Sequence, residues 1–274
     1  MGDMTTSSPA IALSIAGSEA TGGAGAQADL KTFEELGTFG IIALTCIVSF
    51  DPKNNWGHRF VPVAPQVIAD QLEAIQTAYA GPLDTVKVGM MGTPDTIETV
   101  AAALSNQEWA NVVLDPVLIC KGQEPGAALD TDQALQAKLL PKATFVTPNH
   151  FEAEVLSGTT INSVEDLKEA ARIIHAKSGA AVLAKGGVRL EGPDAIDVFF
   201  DGETMEVLAT PKVGEVAVSG AGCSLAAAVT ALLAKGHTPL QAAVEAKAFV
   251  TEAIKNRVAS AAPFEAVYQG GARA

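Results

Sequence analysis

Cysteine is scarce: Cys46, Cys120 and Cys223 are the only three in 274 residues. They are too few and too far apart for a disulfide framework, and no CxxC or HxxxH spacing suggests a zinc site. Reduced thiols and a cytoplasmic location are expected. Charge is also thin, at 18% of residues, and basic charge thinner still: 18 Lys and Arg stand against 31 Asp and Glu, a net charge of −13. No basic run interrupts that field, so neither nucleic acid nor anionic membrane is an expected partner. The apolar runs break at Gly, Asp or Lys well short of the ~18 residues that a membrane span needs. Residues Met1 to Pro9 carry neither a basic nor an apolar leader segment, which argues against a secretory signal.

Apolar residues are plentiful. At 48% of the chain, with a mean hydropathy of +0.25, they suit a sheet covered by helices on both faces. The length fits one α/β domain, over residues 11–262, with flexible tails at 1–10 and 263–274.

Strands and helices alternate along the chain. Apolar, β-branched runs predict strands at Ile11–Ala16, Gly40–Phe50, Thr85–Met90, Val112–Asp115, Thr144–Thr147 and Ala181–Ala184. Helical spacing marks Gly25–Leu36, Pro65–Tyr79, a segment opened by Thr93-Pro94-Asp95, Ser163–Lys177 and Pro239–Ile254. Asp51–His58 reads as a polar loop bearing Trp56. Ala195–Phe200 and Met205–Thr210 flank Asp201-Gly202, a strong hairpin signal. The pattern predicts a mostly parallel sheet with one antiparallel hairpin near residue 200.

In such sheets ligands bind outside the carboxyl ends of the strands. Glu19, Asp51–His58, Gly89-Met90, Asp115–Cys120, Asn149, Glu152 and Lys185 all follow strands and should share that edge. Ser219-Gly220-Ala221-Gly222-Cys223 opens an apolar helix there. Its bare backbone can gather N–H groups into a nest for a charged anion, reinforced by the helix dipole. That potential should lower the Cys223 thiol pKa and fit it to accept a hydroxyl proton. The same letters also suit a close-packed turn before a buried helix. Gly23-Ala24-Gly25-Ala26-Gln27-Ala28 formally matches a dinucleotide fingerprint, but about six residues separate it from the strand, so a dehydrogenase reading ranks last.

With these stretches in view, the chain resembles the ribokinase-like small-molecule kinases, over roughly Ile11 to Ala259. It is most similar to the bacterial pyridoxal kinases that resemble hydroxymethylpyrimidine phosphate kinases. The likeness rests on Ala16-Gly17-Ser18-Glu19 with Gly22-Gly23-Ala24-Gly25, Lys87-Val88-Gly89-Met90, Asp115-Pro116-Val117, Thr147-Pro148-Asn149 with Glu152, and Gly220-Ala221-Gly222-Cys223. It implies a three-layer α/β/α fold and ATP-dependent phosphorylation of the 5′-hydroxymethyl group of pyridoxal and related B6 vitamers. By the same likeness Mg²⁺ is held at Asp115 and Glu152, a monovalent cation is an optional second ion, and the chain is a homodimer. Nucleotide contacts fall on Asn149, Glu152, Lys185, Gly186, Gly187, Val188, Arg189, Asp197, Gly222 and Lys247. Gly220, Ala221 and Gly222 form the anion hole, with Cys223 as the base. The alcohol is expected to lie against Ser18, Glu19, Val48, Phe50, His58, Met90, Val117 and Cys120.

Three departures accompany the likeness. Phe50 stands where hydroxymethylpyrimidine kinases carry a glutamine that reads the pyrimidine amino group, which favours pyridoxal. Ser219 replaces a frequent histidine, and Glu19 a common aspartate. Cys120 is also a candidate to add reversibly to the aldehyde of pyridoxal, against an inert packed thiol. The rival readings are a hydroxymethylpyrimidine or hydroxymethylpyrimidine-phosphate kinase and an inactive vitamer-binding protein.

Overall fold

In the computed structural model, residues 8–118 and 125–273 are described. The strands are β1 (Ile11–Glu19), β2 (Phe39–Asp51), β3 (Gly57–Pro62), β4 (Thr85–Val88), β5 (Asn111–Leu114), β6 (Phe145–Val146), β7 (Ala181–Gly187), β8 (Asp194–Phe200) and β9 (Met205–Pro211). They form one sheet in the order β3-β2-β1-β4-β5-β6-β7-β8-β9. The run from β2 to β7 is parallel, and β3 at one edge and β8 and β9 at the other are antiparallel.

Side-chain alternation assigns the layers. Val86, Val88, Val112 and Leu114 turn toward the helices α2 (Pro65–Ala78), α3 (Pro94–Leu104), α4 (Pro125–Lys138), α5 (His150–Ser157) and α6 (Val164–Ser178). Val113, Phe145, Leu183 and Phe199 turn the other way, against α7 (Ala221–Ala234) and α8 (Pro239–Lys255), with α1 (Gly25–Glu35) beside them. Ten consecutive residues of α7, Ser224 to Leu233, are buried, because the helix is wrapped by the sheet, α1 and α8. This is the expected three-layer α/β/α arrangement.

Two sequence expectations need correction. The hairpin near residue 200 is present, but a second antiparallel pair closes the opposite edge: His58 lies in β3, opposite Phe50, rather than in a loop. An edge strand needs only one hydrogen-bonding neighbour, and Gly57-His58-Arg59-Phe60-Val61-Pro62 lacks the alternation that marks a half-buried strand. The stretch beyond residue 262 is also not a frayed tail. Ser219 N–H donates to the Glu265 carbonyl, Val267 N–H donates to the Ser219 carbonyl, and Val267 and Gln269 are buried. Residues 1–7 of the expected N-terminal tail lie outside the described residues.

One ion pair lies inside this frame. Lys87 on β4 points away from Val86 and Val88 and reaches both carboxylate oxygens of Asp29 on α1, at 2.9 and 2.8 Å. The Ser14 hydroxyl donates to the same carboxylate at 2.6 Å. Burial disfavours both charges, but the three short bonds hold the ionised pair, and the Asp29 charge keeps Lys87 protonated above its ordinary range. Removing one partner leaves an uncompensated buried charge. Lys87→Met should therefore lose about 3–5 kcal/mol in urea unfolding, and Lys87→Met with Asp29→Leu should recover much of it.

Candidate active site

The carboxyl ends of β1, β4, β5, β6 and β7 open onto the N-terminus of α7. Gly220 caps that helix in the left-handed region, at φ +81°, a conformation glycine adopts without strain. A Cβ there would lie 1.7 Å from the Gly23 carbonyl oxygen, so only glycine lets the two loops touch. Ser224 N–H closes the first turn on the Gly220 carbonyl at 2.8 Å, and Ala221 N–H turns back to Val218 at 3.3 Å. Among the described residues, the Gly222 and Cys223 N–H groups have no protein acceptor. Of the expected Gly220 to Gly222 hole, the Ala221 amide is engaged within the turn, while the Gly222 amide and the neighbouring Cys223 amide stay open. The Lys185 ammonium lies 3.5 Å from where a Cβ on Gly222 would stand, placing a cation over the same turn.

Cys223 is half-buried beside these amides. Burial pushes its thiol up to about 11, the Lys87 charge pulls it down, Asp115 and Asp29 raise it further, and the Gly25 N–H favours the thiolate. The expected lowering is therefore reversed: desolvation and two carboxylates outweigh Lys87 and the Gly25 N–H.

Asp115 follows β5 and is buried, accepting from Thr147 Oγ1 at 3.3 Å and facing Lys185 Nζ at 3.5 Å. Asn149 caps α5 and forms a capping box with Glu152: its side chain accepts the Glu152 N–H at 3.0 Å, and Glu152 Oε2 accepts the Asn149 N–H at 2.7 Å. Burial lifts the Glu152 carboxyl to about 8, against the pull of Lys185 and with the push of Asp115. Asp132, on α4, adds its charge to that push, and its own Oδ1 is buried without a partner. Mutually repelling oxygen donors of this kind suit Mg²⁺, which leans on one or two carboxylates and keeps its remaining places for water and phosphate. The described residues contain no group of three or more His, Cys, Asp or Glu side chains positioned to hold a metal on their own.

Beyond Ala221 an apolar cleft of about 160 Å³ runs between β7, β9 and α8, lined by Gly187, Val188, Ala195, Pro211, Val213 and Thr251, among others. Gly187 and Val188, two of the expected nucleotide contacts, line this cleft. Gly186 is instead packed against Leu190, and Arg189 is exposed. Asp197 and Lys247 do not offer free groups to the cleft: they form a buried ion pair at 2.7 Å, and Lys247 also donates to the Ala195 carbonyl at 2.9 Å. The lining from Pro211 to Val218 lacked a sequence signal, because apolar loop residues carry no spacing pattern.

On the other side of the nest, Phe50 packs edge-on against His58 with centroids 4.8 Å apart. Ser18 accepts from Gln27 at 2.8 Å, Val48 is buried, and the Met90 sulfur would lie 3.7 Å from a Cβ on Gly17. Val117 is half-buried, and its N–H turns back to the Asp115 carbonyl at 2.8 Å. Glu19 is a positioning residue here: its carboxylate accepts from Thr21 N–H and Oγ1, Gly23 N–H and Ala24 N–H, and so shapes the glycine loop. Cys120 lies outside the described residues.

The phosphomethylpyrimidine kinase family model matches residues 19–266, a span that runs from Glu19 through Asp115, Glu152 and Lys185 to the α7 nest. The chain belongs to that family. Its relatives within the phosphomethylpyrimidine kinase family include the pyridoxine kinase of Bacillus subtilis (strain 168), 45% identical over 245 residues that cover 89% of this chain and 90% of the relative. The hydroxymethylpyrimidine/phosphomethylpyrimidine kinase of the same organism is 39% identical over 249 residues, covering 89% of each. A solved structure of the pyridoxal kinase from Staphylococcus aureus in complex with AMP-PCP and pyridoxal superposes with a TM-score of 0.89 at 41% identity, covering 97% of this chain and 95% of that one.

The Glu152 carboxyl gives a pH prediction for the metal-free protein. The folded chain holds this proton more tightly than the unfolded one, so its contribution to stability is full below about 4.5 and is lost as pH rises through about 8. In urea unfolding with a chelator present, Glu152→Gln should flatten the decline in stability between those values. An unchanged slope would assign the decline to other groups.

Proposed function

We propose that the protein is an ATP- and Mg²⁺-dependent kinase that transfers the γ-phosphoryl group to the 5′-hydroxymethyl group of pyridoxal and related B6 vitamers. The observation that carries this reading is the pair of unengaged amides, Gly222 and Cys223, at the start of α7 with Lys185 above them and a thiol at their side. The likeness to pyridoxine and pyridoxal kinases supports the choice of alcohol, and AMP-PCP in one of those relatives is an analogue of the donor. Phe50, which cannot read a pyrimidine amino group, also favours the vitamer over hydroxymethylpyrimidine.

Phosphoryl transfer needs positioning and charge neutralisation more than covalent help. The apolar cleft at Val188 and Thr251 receives the base of the nucleotide, which directs its phosphates toward Lys185 and the α7 amides. Asp115 and Glu152 would hold Mg²⁺, which neutralises phosphate charge. The Gly222 and Cys223 N–H groups and the helix dipole stabilise the moving phosphoryl oxygens. The thiolate form of Cys223 accepts the proton of the attacking hydroxyl and becomes the thiol, late in a loose transition state where the oxygen has become acidic. We place the enzyme in the cytoplasm. Ile47 and Val61, exposed cross-strand neighbours on β2 and β3, support a homodimer.

Two variants test the base. Cys223→Ala should lose at least about 100-fold in kcat while ATP binding stays within about twofold. With the thiol raised to about 11, kcat/KM for the wild type should climb with pH between 7 and 9. Cys223→Asp should level that profile. Turnover of Cys223→Ala within a few-fold of wild type would remove the thiol from the mechanism. Side-by-side rates with pyridoxal and hydroxymethylpyrimidine decide the alcohol.

A further inference from the structure

Two segments far apart in the chain meet beside the nest. Trp56, at the tip of the β2–β3 hairpin, has its ring centroid 6.5 Å from Phe50 and 6.1 Å from Phe264. Phe264 lies 5.0 Å from Phe50. A slot of about 210 Å³ opens beside this group, lined by Phe50, His58, Ser219 and Phe264 among others. Phe50 and Phe264 are too close to hold a third ring between them, so a ligand in the slot lies beside the pair.

Backbone geometry indicates that the arrangement is imposed. Asn55 and Trp56 both sit in the left-handed region, at φ 48° and 56°, which is costly for a bulky aromatic. Such strain persists where surrounding structure over-determines it, often at ligand clamps. Phe264 is fixed just as firmly. The next residue, Glu265, accepts the Ser219 N–H at 2.9 Å, and Val267 N–H donates to the Ser219 carbonyl at 3.1 Å. Ser219 directly precedes Gly220, so Phe264 is held in register with the open amides.

We propose that Phe264 is a specificity-determining residue of the acceptor site: its ring and that of Phe50, both packed against Trp56, form an apolar wall against which the planar ring of the alcohol lies with its hydroxymethyl group toward Cys223. An aromatic wall with His58 and Ser219 at its margins selects a flat heteroaromatic alcohol over a sugar, whose ring carries hydroxyl groups on both faces. The inference rests on the kinase reading above and adds the residue that orients the acceptor.

The test compares Phe264→Leu, which keeps apolar bulk, with Phe264→Tyr, which keeps the ring. Phe264→Leu should raise KM for pyridoxal about tenfold and leave kcat and KM for ATP within about twofold, while Phe264→Tyr stays near wild type. A second readout needs no turnover. In a Trp109→Phe background, Trp56 is the remaining tryptophan. Its fluorescence should respond to pyridoxine, which carries no aldehyde, with a Kd about tenfold weaker in Phe264→Leu. Unchanged KM and Kd in Phe264→Leu, or parallel losses for alcohol and ATP that Phe264→Tyr shares, would overturn the assignment. A wild type that binds pyridoxine with a Trp56 response but phosphorylates no vitamer would contradict the kinase reading and leave this wall standing.

Discussion

The contact between Gly220 and the Gly23 carbonyl sets the geometry of the site. Any side chain at residue 220 would occupy the space of that oxygen, so the chain can bring the β1 loop and the α7 N-terminus together only with glycine there. The contact has consequences on both sides. Gly23 and Ala24 are held by the Glu19 carboxylate, and Gly25 directs its N–H at the Cys223 sulfur. On the far side, Ser219 is clasped by Glu265 and Val267, which fixes the point at which the helix begins. The Gly222 and Cys223 amides stay without a protein acceptor at the end of a loop held from two directions.

Electrostatics then divides the cleft into regions with different tasks. Asp115, Glu152 and Asp132 gather carboxyl groups at the ends of β5 and β6 and on α4, and burial, helped by the charges of Asp115 and Asp132, raises Glu152 to about 8. Lys185 lies between that acidic group and the nest, 3.5 Å from Asp115. Lys87, neutralised by Asp29, stands deeper and draws the Cys223 thiol down against its burial. With a net charge of −13, the molecule offers no long-range attraction to a polyphosphate. Binding must come from these local cations, the amides and a divalent ion.

Much of this was legible in the sequence, and for identifiable reasons. Parallel strands buried on both faces leave near-continuous apolar runs, so β1, β2, β4, β5 and the first part of β7 stand out, and the residues that follow them gather at one edge. The glycine spacing before Cys223 pointed to a helix start that the structure contains. What escaped depends on distance in space. No local signal tells that Lys87 pairs with Asp29, 58 residues away, or that Lys247 pairs with Asp197, 50 residues away. Burial reversed the expected thiol shift, because the sequence displays the dipole and the glycines but not the desolvation. Phe264 looked like part of a loose end, since its role exists only where the hairpin tip and the C-terminal segment meet.

The central claim is that the first turn of α7 receives the moving phosphoryl group. A crystal structure of the protein with ADP, Mg²⁺, an aluminium fluoride mimic of that group and pyridoxine tests it most directly. The account predicts fluorides within hydrogen-bonding distance of the Gly222 and Cys223 N–H groups, with the Cys223 sulfur beside the 5′-hydroxyl. A mimic bound in the cleft with those two amides unengaged, or a hydroxyl pointing away from the sulfur, would contradict it.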